Sequence, residues 1–227
     1  MPTKSLQRPD AKLLWAILLN FLVAGMEVVG GVLAGSLSLL SDALHNLSDS
    51  FSLFISLAAA RLSRRGNTES QTFGYKRAEI LAALLNSAIL LIVSSLLFKE
   101  ALARLASPPP VNSRLMIAGA GVALAVNSFS AFLLHRDSRG DINIRSSYLH
   151  LLLDAMSSLA VIAGGGCVLL FRWTWIDPAL TLGIGLVALM QGYRVVERIV
   201  RILMQSAPQG VDLSWIQKRI EGLPDTS

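Results

Sequence analysis

Apolar stretches, each long enough to cross a lipid bilayer, recur along this chain and limit its possible folds more than any other feature. About 20 helical residues span the hydrocarbon core. Runs of that order occur at 13–35, 37–60, 79–98, 115–134, 147–171 and 176–196. Lipid offers no partner to backbone N–H and C=O groups, so each run must satisfy them within its own segment as a helix. A buried helical core of a soluble protein would need polar outer faces, and these runs are apolar nearly all round. Only 15% of the residues are charged, against about a quarter in soluble domains. The expected fold is all-α and membrane-embedded, with six transmembrane helices. The first run is longer than the apolar region of a removable signal peptide.

A net charge of +5 could suit nucleic acid, but its distribution describes topology instead. With six spans, both termini share one side. Of the 20 Lys and Arg residues, only Lys99, Arg104, Arg114 and Arg172 fall on the other side. Short loops rich in Lys and Arg stay in the cytoplasm, so both termini are expected there, and no nucleic-acid partner is implied. The chain divides into a cytoplasmic lead (1–12), a six-helix membrane domain (13–203) and a cytoplasmic tail (204–227). In that tail Asp212 can cap a short helix bearing Leu213, Ile216 and Ile220 on one stripe. Spans one to three and four to six make comparable halves. With an odd number of helices in each, the halves are expected to be inverted repeats.

Gly31 and Gly35 are spaced to let helices approach closely. Cys167, the single cysteine, has no disulfide partner within the chain and reads as a small packing residue. Arg172-Trp173-Thr174-Trp175 forms an outer turn with two tryptophans suited to the interfacial belt.

Two spans carry chemistry. The second reads Ser41-Asp42-Ala43-Leu44-His45-Asn46-Leu47-Ser48-Asp49, and the fifth reads Tyr148-Leu149-His150-Leu151-Leu152-Leu153-Asp154. Each contains His-x-x-x-Asp, and residues four apart share a helix face. These are the middle helices of the two halves. Together they offer two imidazoles and two carboxylates, a tetrahedral set suited to zinc. A charged aspartate deep in the bilayer costs a few kcal/mol or more. Two aspartates and one divalent cation sum to zero charge, so the metal offsets that cost; when it leaves, protons can do the same. A site with a metal-loaded and a protonated state is the physical basis of metal/proton exchange.

Other polar groups lie within the spans. Asp42, three residues before His45, reads either as a relay for a departing ion or as a solvated helix end. Glu27 is a candidate auxiliary proton site, Glu79 follows Lys76 and Arg77 as a boundary ion pair, and Asn127 reads as an interhelical hydrogen bond. His135 reads as interfacial. Arg145 lies only five residues before His150, so span five is expected to project beyond the bilayer with Arg145 snorkelling. An enzyme is not expected: four protein ligands leave no open coordination position for a catalytic zinc, and neither His-Glu-x-x-His nor Gly-x-Ser-x-Gly occurs.

At these residues the chain resembles the cation diffusion facilitator family. The resemblance rests on Ser38-Leu39-Leu40-Ser41-Asp42-Ala43-Leu44-His45 with Asp49, on Thr72-Phe73-Gly74-Tyr75-Lys76-Arg77-Ala78-Glu79-Ile80, and on His150 with Asp154. It runs from about residue 13 to 223. The family implies export of a divalent metal from the cytoplasm coupled to proton entry, an inner (plasma) membrane location and a homodimer. Its transport ligands carry over to His45, Asp49, His150 and Asp154. Zinc is then a transported substrate rather than a resident cofactor, with cadmium or cobalt sometimes accepted. Two departures stand out. The loop at 136–146 lacks a His-rich tract, and the family's cytoplasmic ferredoxin-like domain is expected to be truncated within its first helix, at 211–222.

Overall fold

The computed structural model describes residues 11–62, 76–135 and 142–206, with Trp215, Lys218 and Arg219 beyond them. The Thr72–Tyr75 part of the loop motif, the charged segment 136–141 and most of the 212–220 stripe lie outside the described residues, as does the side chain of Glu79. The described residues form six helices and no strand: α1 (Ala11–Ala34), α2 (Leu37–Leu62), α3 (Lys76–Ala106), α4 (Ser113–His135), α5 (Ile142–Phe171) and α6 (Ile176–Leu203).

The helix ends follow from local chemistry. Gly35 takes φ +68°, a conformation in which a Cβ is strained. Around it Ser36 N–H donates to the Gly31 carbonyl (3.0 Å) and Gly35 N–H to that of Val32 (3.2 Å), the paired bonds of a Schellman stop. Ser36 then caps α2, its Oγ accepting from Leu39 N–H at 3.2 Å. Gly35 thus makes the turn, and Gly31 provides the close approach: a Cβ there would lie 2.8 Å from Leu40 Cγ. Gly119, Gly165 and Gly192 play the same part against Leu39, Ile117 and Leu91, and Gly164 against Leu180.

α2 is the central helix and packs against every other one. α1, α2, α4 and α5 make one group, and α3 pairs with α6 alongside α2. Corresponding helices of the two halves meet: α1 with α4, α2 with α5 and α3 with α6. This is what inverted repeats about an in-plane axis would give.

The interior is more polar than the exterior. Asn20, Glu27, Asp42, Asn46, Asn127, Asp154 and Asp177 are buried, whereas Leu22, Val32, Leu33, Phe132 and Leu170 are exposed. Water would penalise that arrangement, but lipid favours it. The chain is an integral, multi-pass membrane protein. Ile80–Ala106, Ser113–His135, Arg145–Phe171 and Ile176–Leu203 are long and apolar enough to cross a bilayer, and Leu18–Ala34 is a shorter apolar stretch. Among the described residues α2 does not meet that measure. Asp42, His45, Asn46 and Asp49 lower its hydropathy, and it is tolerated because five helices surround it.

The end bearing the α1–α2 turn is tightly closed. Asp177, in the first turn of α6, is fully buried and accepts hydrogen bonds from Ser36 Oγ (2.6 Å), Ser38 Oγ (2.6 Å), Leu37 N–H (2.9 Å) and Ser38 N–H (3.2 Å). A carboxylate from the second half thus caps the first half's central helix, where the helix dipole favours negative charge. Arg104 Nη1 donates to the Gly35 carbonyl at 2.8 Å. Behind this end an apolar cluster of Ala34, Leu39, Met116, Ala120 and Val161 fills the bundle.

Candidate metal site

His45 and Asp49 sit one turn apart on α2, as do His150 and Asp154 on α5. Helical periodicity puts each pair on one face, and the packing of α2 on α5 turns the faces together. His150 Nε2 lies 3.1 Å from Asp49 Oδ2 and 3.6 Å from Asp154 Oδ2; His45 Nε2 lies 3.4 Å from Asp49 Oδ2. One ligand atom each from His45, Asp49 and Asp154 falls within 4.8 Å of the others. The two imidazole rings are 6.1 Å apart, edge to face. Around a tetrahedral zinc with bonds of about 2.0 Å, neighbouring donor atoms stand about 3.3 Å apart. Three of the six donor pairs, His150 with each carboxylate and His45 with Asp49, are near that spacing, while His150 stands outside the three-residue cluster.

Asp49 Oδ2 and Asp154 Oδ2 are buried and accept no hydrogen bond. Among the described residues no Lys or Arg pairs with either carboxylate. One buried and one half-buried acid with no Lys or Arg beside them are short of positive charge, which a divalent cation supplies. Exposure is graded: the side chain of Asp154 is 3% exposed, that of His45 14%, that of Asp49 26% and that of His150 35%. The site therefore opens along Asp49 and His150, towards the C-terminal end of α2 and the N-terminal end of α5. It is closed on the side of Asp42 and the Asp177 clamp.

A polar shell holds these helices in register. Asp42 accepts from Ser157 Oγ (2.5 Å) and Ser158 Oγ (3.2 Å), and Ser158 also donates to the Asp154 carbonyl (3.1 Å). Asp42 is 1% exposed, so it is not a solvated helix end. Asn46 Nδ2 donates to Glu27 Oε2 at 2.9 Å, tying α2 to α1. On the other flank Asn86 Nδ2 reaches the Ser48 carbonyl (2.9 Å) and Ser52 Oγ (3.0 Å), holding α3. Arg145 is exposed near the start of a 30-residue α5. At 1.5 Å per residue that helix is about 45 Å long, well beyond a hydrocarbon core of about 30 Å, so His150 can lie within the bundle while Arg145 stands outside it. His135 is exposed, its ring 5.4 Å from that of Tyr148.

Sequence reasoning missed Ser157, Ser158, Asn46 and Asp177. The signal for the serines was present, since they continue the Asp154 face three and four residues on. Nothing local marked Asp177, whose partners all lie on another helix.

The cation efflux transmembrane domain matches residues 13–204. The chain is 38% identical over 199 residues to the "Cadmium, cobalt and zinc/H(+)-K(+) antiporter" of Bacillus subtilis, covering 87% of this chain and 64% of that protein. It is 37% identical over 213 residues to the "Metal cation efflux system protein CzcD" of Cupriavidus metallidurans, covering 94% and 67%. It is 36% identical over 196 residues to the "Zinc transporter ZitB" of Escherichia coli, covering 86% and 63%. The chain thus spans about two thirds of the length of these relatives.

Proposed function

This chain belongs to the cation diffusion facilitator family, and we propose that it exports zinc from the cytoplasm in exchange for protons through His45, Asp49, His150 and Asp154. The observation that supports this reading is the meeting of the two His-x-x-x-Asp pairs from the middle helices of the two halves: His45, Asp49 and Asp154 form one cluster, and His150 Nε2 lies 3.1 Å from Asp49 and 3.6 Å from Asp154. Zinc is the cargo, with cadmium or cobalt as alternative substrates, as the names of the relatives support; no resident cofactor is part of the reading.

Metal enters where Asp49 and His150 are partly exposed, and is held by neutral imidazoles and ionised carboxylates whose charge it cancels. Opening of the opposite end, past Asp42, releases it. Protons then compensate the emptied carboxylates, so the site does not return as a bare double negative charge in low dielectric. With the excess of Lys and Arg marking the cytoplasmic side, both termini and the open end of the site face the cytoplasm, in a plasma (inner) membrane. The lead at 1–12 and the tail at 204–227 flank the transport domain as cytoplasmic segments, and a homodimer completes the reading. The transporter names among the relatives favour cargo movement over hydrolysis.

Zinc uptake into proteoliposomes with an imposed pH gradient tests the proposal. Wild-type protein should take up zinc and move protons the other way. Asp49→Ala and Asp154→Ala should insert normally and lose at least about 100-fold in flux, as expected when a ligand is removed. Near-normal flux in both variants would overturn the ligand assignment, and zinc movement without proton movement would overturn the exchange.

A further inference from the structure

Beside the metal ligands lies a second buried cluster. Glu27 of α1 and Asp42 and Asn46 of α2 are each 1% exposed. Asp42 and Asn46, four residues apart, share the face of α2 that meets Glu27, so the two carboxyls are close neighbours. Both oxygens of Asp42 already accept from serines of α5, Oδ1 from Ser157 and Oδ2 from Ser158. Glu27 Oε2 accepts from Asn46 Nδ2, whereas Glu27 Oε1 and Asn46 Oδ1 are buried and receive no hydrogen bond.

Among the described residues, the surroundings supply no fixed cation to this cluster. α4, packed on α1, has its titratable residues, Arg114 and His135, only at its two ends. α3 from Ile80 to Phe98 and α6 from Pro178 to Gly192 have none. His45 on α2 and Asp154 on α5 are the nearest titratable groups, and both belong to the metal site. A carboxylate can only accept hydrogen bonds, so two neighbouring buried acids need a proton between them. The donor pattern places it: Asp42 is surrounded by donors, whereas Glu27 Oε1 is buried without one.

We propose that Glu27 carries an exchangeable proton, donated from Oε1 to the Asp42 carboxylate, and that this pair is a proton-binding site distinct from the four metal ligands and discharged by metal entry. The inference deepens the proposed metal/proton exchange and rests on it. Asp42 lies three residues before His45 on α2 and is bridged through Ser158 to the backbone of Asp154. Zinc therefore brings two positive charges close to the shared proton in low dielectric, where their repulsion is strong. The proton leaves, and the pair then holds two negative charges beside the loaded site. When zinc departs, the pair takes up a proton again.

Infrared difference spectroscopy of the full chain in lipid, metal-free and then with zinc, tests this directly. Wild-type protein at neutral pH should show a protonated-carboxyl C=O band that disappears on adding zinc. Glu27→Gln should lack that band, and Asp42→Asn, which replaces the acceptor of the Glu27 proton, should shift its frequency. Zinc affinity of Glu27→Gln, measured by calorimetry, should stay within about threefold of wild type, with about one fewer proton released per zinc. The frequency shift in Asp42→Asn provides the test should Glu27→Gln fail to fold. A band that survives unshifted in both variants, or an unchanged proton count, overturns the proposal. Quenching of the band by potassium without zinc would assign the cluster to an alkali cation and overturn it too. Loss of zinc binding in the wild type would instead sink the metal site and leave the band as the test of the pair.

Discussion

Replacing Asp177 by alanine should remove about 4 kcal/mol of stability while leaving the affinity of the metal site unchanged. Its carboxylate accepts from two hydroxyls and two backbone amides at the start of α2. The hydroxyls of Ser36 and Ser38 already lie 3.2 Å apart and can bond to each other once the acid is gone. The Leu37 and Ser38 amides have no such recourse. Each buried, unsatisfied donor costs about 1–3 kcal/mol, and the lost charge at the helix N-terminus adds roughly 0.3–1 kcal/mol. For a chain of this length each kcal/mol lowers the melting temperature by about 2–4 °C, so the expected fall is about 8–16 °C. Thermal melts of the purified protein in detergent, followed by circular dichroism, measure it. Asp177→Asn keeps one acceptor oxygen and should lose about half as much. Zinc affinity should stay unchanged because the clamp closes the opposite end of the bundle from Asp49 and His150. A shift below about 2 °C for alanine, or equal shifts for alanine and asparagine, would refute the assignment of a four-bond clamp.

Substituting His45→Asp exchanges a nitrogen donor for an oxygen and adds a negative charge, which suits a larger cation better; the zinc-to-cadmium flux ratio should fall, and an unchanged ratio in vesicles would place selectivity elsewhere. Zinc binding should weaken as pH falls, because zinc needs neutral imidazoles and ionised carboxylates and protons compete for the same donor atoms; calorimetry showing an affinity independent of pH would exclude these groups as ligands. Gly31→Val would drive a side chain into Leu40, whose Cγ would lie 2.8 Å from the new Cβ; it should destabilise the α1–α2 hairpin by about 1–3 kcal/mol, and an unaltered melting temperature would show that the helices separate at little cost.

Much of this protein was legible in one dimension. Long apolar runs determined an all-helical membrane fold, because lipid offers the backbone no other partner. A spacing of four put His45 with Asp49, and His150 with Asp154, on single faces before any packing was known. Length alone, however, reads 37–60 as one more apolar span; that it is the interior helix, carrying Asp42, His45, Asn46 and Asp49, came from the packing.

Only the tertiary structure decided which faces meet. Outward faces of membrane helices are all similarly apolar, so hydropathy does not select a neighbour; close approach at glycines and pairing of buried polar groups does. That is why Gly31 could be placed in a helix contact while its partner Leu40 could not. For the same reason Asp42 remained ambiguous until Ser157 and Ser158 were seen to donate to it, and Asp177 gave no sign of clamping the start of α2. The graded exposure from Asp154 to His150, which leaves the cluster open on one side, is likewise a property of the packed bundle. A hydrogen bond between residues far apart in sequence leaves no periodic trace in either segment, because each partner satisfies the other only after the helices have come together.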